Sequence, residues 1–329
     1  MAASLPQGWT LCASAFNWAP DIIAAHRPAP EIVTAIVEEG VADTVELEPG
    51  LLWRSFPEPD GGEVDRFRSG LAAAGGRVST VGVSLDDFSS PTRARPPQER
   101  LDFLVPQLRA AARVGASGVR LPIGQAGPDL LRRLLPLLHE LDLVLYEEIQ
   151  GQQAPSTPAT AAALETVASI GDPRLRILVD ISMLMPALPV SYLDELSRGG
   201  IPADLVARLA TEWQSPETQD AVASFLRSGN VPPQVHTLYM NLLIRFGRSH
   251  ARDLQDVLPL VGAFHLKFWD LEDDGGRISR PIRDLGRLLG SEGFTGTLTS
   301  EWGGHEWLRD DPTAMTRQHL ALASRSLAS

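Results

Sequence analysis

Five ionisable residues stand where short apolar runs end. Glu148 lies in Leu145-Tyr146-Glu147-Glu148-Ile149, and Asp180 follows Ile177-Leu178-Val179. His265 and Lys267 lie in Phe264-His265-Leu266-Lys267-Phe268, and Glu301 closes Leu298-Thr299-Ser300-Glu301. Taken singly, an acid at such a place reads as a solvated loop residue or a helix cap. Together they are a set, because an ionised group directly after an apolar run needs a cation or a partner. Three carboxylates and an imidazole (Glu148, Asp180, His265 and Glu301) make a hard, oxygen-rich donor set for one divalent ion. It suits Mn²⁺ first, then Mg²⁺ or Co²⁺. A structural zinc would favour thiolates or more imidazoles. Lys267, two residues past His265, shares its face of an extended strand and enters the same pocket as a charge stabiliser or proton carrier.

The elements that must hold these groups follow from the apolar pattern. Short apolar runs alternate with longer segments of helical period, as in repeated βα units around a parallel sheet. Eight strands are predicted: Leu11–Phe16, Thr44–Glu48, Arg77–Ser84, Gly118–Pro122, Val144–Ile149, Arg176–Ile181, Ala263–Trp269 and Thr295–Glu301. Helices are predicted at Pro30–Glu39, Pro97–Val114, Gly127–Leu141, Pro158–Ile170 and Pro281–Leu289, several of them opening with proline. The fold class is α/β, a single (β/α)8 TIM barrel over residues 1–329. Such barrels place their chemistry at the C-terminal ends of the strands, where the five residues fall. Between the sixth and seventh strands lies a helical insertion, residues 183–262, expected to cap the active face. Ser191–Leu226 reads as two extra helices within it. Alternation puts Glu148 and Gln150 on one face with Tyr146, and Glu147 on the other.

Composition removes several classes of function. Hydrophobic residues make up 43% and charged residues 21% of the chain, which argues against disorder. A net charge of −12 without a basic stripe disfavours nucleic acid as a partner. Cys12 is the only cysteine, so neither an intrachain disulfide nor a thiolate metal cluster can form. No apolar run approaches membrane-spanning length and no signal peptide opens the chain, so no membrane and a cytoplasmic location are expected. No Gly-x-Gly-x-x-Gly precedes a helix, which excludes a dinucleotide fold.

On these residues the chain resembles the xylose isomerase-like superfamily of sugar phosphate isomerases/epimerases and ketose 3-epimerases. That resemblance implies a barrel whose metal is held by Glu148, Asp180, His265 and Glu301 from the fifth to eighth strands. It also implies Glu148 and Glu301 as an acid/base pair. A narrower pattern, Leu243-Ile244-Arg245-Phe246-Gly247-Arg248 leading into Phe264-His265-Leu266-Lys267-Phe268-Trp269, is similar to the large catalytic subunit of bacterial C-glycoside deglycosidases. This implies cleavage of 3-oxo-glycosides by elimination and a small β-rich partner subunit. In that group a histidine tends to stand two residues after the fifth-strand glutamate, in the place of a catalytic base. Here the residue is Gln150, whose amide takes no proton at neutral pH.

The expected enzyme removes a proton next to a carbonyl of a small carbohydrate or glycoside, passing through a stabilised enediolate. Isomerase, epimerase and lyase outcomes share that intermediate. Glu148, Lys267 and Glu301 are the catalytic candidates, and Trp18, Gln150, His236 and His305 the substrate-binding ones. Trp18 is expected as a sugar-stacking wall, and His236 or Arg245 and Arg248 as contributions from the insertion. His250 is a further substrate-side candidate. Arg120 is read as an ion-pair residue, Glu46 and Glu48 as a solvated rim, Gly61-Gly62 and Gly75-Gly76 as turns, and Pro91–Pro97 as a polar loop. A homo-oligomer is expected. The competing class is a non-catalytic carbohydrate-binding or structural barrel, which loss of a metal ligand would signal. All four ligands are present.

Overall fold

The structure is a computed structural model and describes residues 5–329. Eight parallel strands close into a barrel: β1 (Trp9–Ser14), β2 (Thr44–Leu47), β3 (Arg77–Gly82), β4 (Gly118–Pro122), β5 (Val144–Ile149), β6 (Leu175–Asp180), β7 (Val261–Phe268) and β8 (Gly296–Trp302). Each strand pairs with its neighbours in sequence, and β1 closes on β8 through Leu11 opposite Leu298 and Ala13 opposite Ser300. Side chains alternate between lumen and helices. Phe264, Leu266 and Phe268 point outward from β7, where Phe264 packs on Phe294 and Phe268 stacks on His319 with ring centroids 3.9 Å apart. His265 and Lys267 are left facing inward. Fully buried aliphatics such as Val119, Leu145, Ile177 and Val179 hold the strands to their helices. Each contributes roughly 1.5–3 kcal/mol by leaving water.

The helices start and stop where local chemistry requires. Pro97 and Pro158 occupy first-turn positions that need no amide donor, while Gly115 and Gly171 close those two helices in the left-handed conformation. Among the helices not marked in the sequence reading, the two longest are Gly61–Ala73 and Pro312–Leu327. Asp60 and Asp311 cap them by accepting from the amides of Glu63 and Ala314. Gly61 and Gly62 therefore belong to a helical first turn and not to a loop. Part of the expected polar loop at Pro91–Pro97 is also ordered, because Arg93–Ala94 pairs antiparallel with Phe88–Ser90.

Between β6 and β7, Val190–Arg198, Ala203–Thr211 and Pro216–Arg227 form three helices where two were expected, and His236–Ile244 adds a fourth. Pro202 and Pro216 account for the extra break, each sitting where a new helix begins. The segment has its own apolar cluster of Tyr192, Leu196, Leu209, Trp213, Tyr239 and Phe246, which Trp269 at the end of β7 joins to the barrel. A seam binds it to the β5 end. Gly151 adopts φ +55°, and a Cβ there would lie 2.1 Å from the Ile244 carbonyl, so only glycine fits. No helix among the described residues is long and apolar enough to cross a membrane.

Candidate metal centre

Glu148, Asp180, His265 and Glu301 converge at the C-terminal ends of β5 to β8, all four buried, with one ligand atom from each within 4.8 Å of the others. Register brings this about: Asp180 lies opposite His265, and Thr299 opposite His265 places Glu301 opposite Lys267. Two donors on opposite sides of an octahedral ion with bonds of about 2.1 Å stand about 4.2 Å apart, so this spacing accommodates a divalent cation. His265 Nδ1 faces Glu301 Oε2 at 2.7 Å and Glu148 Oε1 at 3.0 Å. Yet His265 Nδ1 and Glu301 Oε2 are buried without a satisfying hydrogen bond. Unsatisfied donors of this kind, converging on one point, fit a cation.

Charge makes the same case. Glu46, Glu48, Glu148, Asp180 and Glu301 gather around two fixed cations, Arg120 and Lys267. Five carboxylates against two cations leave a deficit that a dication largely fills. The protonation pattern reflects the crowding. Burial opposes a charge on His265, yet Glu46, Glu301 and Glu148 raise it well above the ordinary imidazole range. A bound metal ion would take the place of that proton. Burial pushes Asp180 up to about 6 against the pull of Lys267. Burial would also raise Glu301, but Lys267 and His265 hold it well below the usual carboxylate range.

The residue missed by sequence reasoning is Glu46. It was expected on a solvated rim, but it is 1% exposed and reaches across the barrel lumen to His265. Its oxygens lie 2.9 and 3.1 Å from His265 Nε2, and Arg120 Nε donates to Oε1 at 2.6 Å. A carboxylate on one imidazole nitrogen fixes the tautomer and aims the other nitrogen at the metal position. Arg120 extends the network. Its Nη1 donates to Glu148 Oε2 at 3.1 Å and its Nη2 to Glu48. The shared lumen-facing parity of Glu46 and Glu48 was the available signal.

Above the cluster opens a cavity of ≈ 940 Å³. Glu48, Arg120, Glu148, Gln150, Asp180, Lys267 and Glu301 supply its polar lining, Phe16 and Trp269 an aromatic wall, and Leu243, Ile244 and Arg245 of the insertion its rim. Lys267 Nζ lies 3.0 Å from Glu301 Oε1, within the cavity as its parity required. Several expected contacts fall elsewhere. Trp18 is buried, and its indole N–H donates to Thr313 at 3.2 Å on the C-terminal helix. β1 ends at Ser14, two residues before the expected Phe16, and a 3-10 turn over Ala15–Trp18 sends Phe16 to the cavity instead. His305 packs edge-on against Phe16 at 4.7 Å and does not line the cavity. His236 is exposed at a helix start outside the lining, and His250 shares a reciprocal cap with Asp253. Arg248 lies over the Trp213 ring at 3.4 Å, also away from the lining.

No family profile matches the chain. Curated relatives do. The chain is 29% identical to a C-glycoside deglycosidase alpha subunit of Arthrobacter globiformis, over 92% of this chain and 88% of that one. It is 26% identical to a 3'-dehydrocarminate deglycosidase alpha subunit of a Microbacterium species, over 98% and 96%. Among solved structures, a D-psicose 3-epimerase aligns with a TM-score of 0.58 at 14% identity, covering 97% of this chain and all 100% of the other. A 3-keto-D-glucoside 4-epimerase from E. coli aligns at 0.56 and 14%, over 96% and 98%. The chain is thus a sequence relative of C-glycoside deglycosidase alpha subunits, built on the barrel of the xylose isomerase-like sugar epimerases.

Proposed function

We propose that the protein is a divalent-metal-dependent enzyme that removes the proton next to a ketone of an oxidised sugar and expels the group attached one carbon further on. The observation that carries this reading is the buried donor cluster of Glu148, Asp180, His265 and Glu301 at the floor of a cavity of ≈ 940 Å³. When bound, the ion, with Mn²⁺ the best fit to this donor set, supplies Lewis-acid polarisation of the sugar carbonyl. Lys267, buried and held near Glu301, places an ammonium where negative charge develops. Glu148 and Glu301 would hold the ion beside the reacting carbons. Phe16 and Trp269 cover apolar sugar C–H faces, and Gln150 offers hydrogen bonds to hydroxyls.

The relatives' names, deglycosidase alpha subunits and in one case a 3'-dehydro-glycoside substrate, support release of an aglycone from an oxidised glycoside together with a partner subunit. Elimination, and a small β-rich partner, are what the resemblance implies. Cavity charge points to an uncharged sugar rather than a sugar phosphate, because Arg120, Lys267 and Arg245 are each already paired with carboxylates. A second reading, epimerisation or isomerisation of a ketose, draws on the fold neighbours and uses the same proton abstraction. The test is to load the protein with Mn²⁺ and offer a 3-oxo-C-glycoside and its 3-hydroxy parent, with and without the partner. Aglycone release from the oxo form alone is expected. One Mn²⁺ bound per chain with no turnover of any keto-sugar would instead favour a binding subunit.

A further inference from the structure

Of the candidate ligands, Glu148 and Glu301 each turn one oxygen to a fixed cation and the other to the metal position beside His265, and Asp180 accepts from the Ser182 amide. Glu148 turns Oε1 to His265 and Oε2 to Arg120, and Glu301 turns Oε1 to Lys267 and Oε2 to His265. Arg120 and Lys267 stay protonated through the neutral range, and Gln150 exchanges no proton. One cavity-lining acid stands outside the ligand set: Glu48, just past β2. Its Oε1 accepts from Arg120 Nη2, the guanidinium that also holds Glu148, so it lies one guanidinium away from the metal cluster. Its place is built for it. Gly82 on β3 lies beneath, where a Cβ would come within 2.7 Å of Oε2, so any other residue would displace the carboxylate.

Taking the proposed carbon-acid reading as its basis, we propose that Glu48 is the catalytic base that removes the sugar proton. In the step, the C–H bond next to the ketone breaks and its proton goes to Glu48 Oε2. The C–H electron pair forms a C=C bond, and the carbonyl π pair moves onto oxygen, where Lys267 faces the charge. As the C=O bond reforms, the bond to the aglycone breaks with its electron pair, and the aglycone takes a proton from water. Glu48 then releases its proton to solvent, so the sum is an enone and a protonated aglycone. The environment suits proton exchange near neutrality. Burial, opposed by Arg120 and aided by Glu46, Glu301 and Glu148, pushes Glu48 up to about 7. A dication in the neighbouring cluster draws that value down again.

The test uses full-length Mn²⁺-loaded protein with its partner subunit and methyl 3-oxo-glucoside in D₂O, reading deuterium entry beside the ketone by NMR. This probe follows proton removal whether or not elimination ensues. Glu48→Gln is expected to slow exchange by roughly 10²–10⁴-fold while keeping Mn²⁺ affinity within about threefold. The acid limb of the wild-type pH–rate profile should vanish with it. Glu48→Asp, which keeps the charge one methylene further back, should exchange at an intermediate rate with the limb retained. Exchange by Glu48→Gln at more than about a tenth of the wild-type rate overturns the proposal. So does a loss of rate matched by loss of Mn²⁺, which makes Glu48 part of the site's assembly. A wild type that exchanges no proton overturns the carbon-acid reading itself, a result separate from an insensitive Glu48→Gln.

Discussion

Replacing Glu46 with glutamine tests the network beneath the metal centre without changing its shape. Glu46 Oε1 accepts from Arg120 Nε at 2.6 Å and meets His265 Nε2 at 2.9 Å, while Thr299 donates to Oε2 at 3.3 Å. A glutamine carbonyl can replace Oε1 and its amide can face the Thr299 hydroxyl, so packing survives. What disappears is the negative charge on the far side of the imidazole, which keeps Nδ1 basic and aimed at Glu148 and Glu301. Outer-shell partners of metal-bound histidines typically contribute about 10–100-fold in affinity. That corresponds to about 1.4–2.8 kcal/mol of binding. Calorimetric titration of the apoprotein with Mn²⁺ should show Glu46→Gln weaker by that factor, with a melting temperature close to wild type. Glu48→Gln is the control, since it removes the same charge from the same cluster without touching His265. If both variants weakened Mn²⁺ equally, total charge would explain the loss. If Glu46→Gln bound Mn²⁺ as tightly as wild type, the orienting role of Glu46 would be refuted.

Other outcomes follow from the same geometry. Lys267→Met, which keeps bulk and removes the ammonium 3.0 Å from Glu301, should retain near-normal metal content while turnover falls by roughly 10²–10³-fold. Lost metal with a normal rate per bound ion would show that the lysine serves assembly. Deleting Ser191–Leu226 removes Tyr192, Leu196, Leu209 and Trp213 from the cluster against which Phe246 and Trp269 pack. It should abolish activity and lower the melting temperature, and full turnover by the truncated chain would refute a role for the insertion at the cavity. Glu147 faces away from the lumen, buried, with Oε2 unpartnered, and burial raises it from 4.5 to about 7. Between those pH values the unfolded chain gives up this proton before the folded one, so wild-type stability falls as pH rises. The full effect is roughly 3 kcal/mol. Glu147→Gln should therefore melt higher than wild type at pH 8 and alike near pH 4.5. Equal melting temperatures at both would contradict the burial argument.

Much of the site was legible because strand parity is a local property. One residue of slip would have turned His265 and Lys267 outward, and the flanking Phe264, Leu266 and Phe268 leave only one register that buries the aromatic rings. Glu148, Asp180 and Glu301 follow the same parity, most plainly on β6, where Ile177 and Val179 point outward, and less so on β5 and β8, where Glu147 and Ser300 do. Trp18 shows where local reasoning stops. Its placement depends on β1 ending at Ser14, where a hydroxyl accepting from the Phe16 amide starts a 3-10 turn. A run of apolar residues does not mark that boundary. Glu46 failed for a different reason. β2 and β7 are not neighbours in the sheet, so the contact with His265 exists only because the barrel closes and the two side chains meet across its lumen. An acid on a strand reads as solvated while the strand is considered alone. On an inward-facing position of a closed barrel it has no water to face, and must find a cation or a donor opposite. Applied to β2, this rule sends both Glu46 and Glu48 inward, and with them Arg120, the residue long enough to reach both. The second-strand pair is then drawn to the candidate site for the same physical reason as the four candidate ligands.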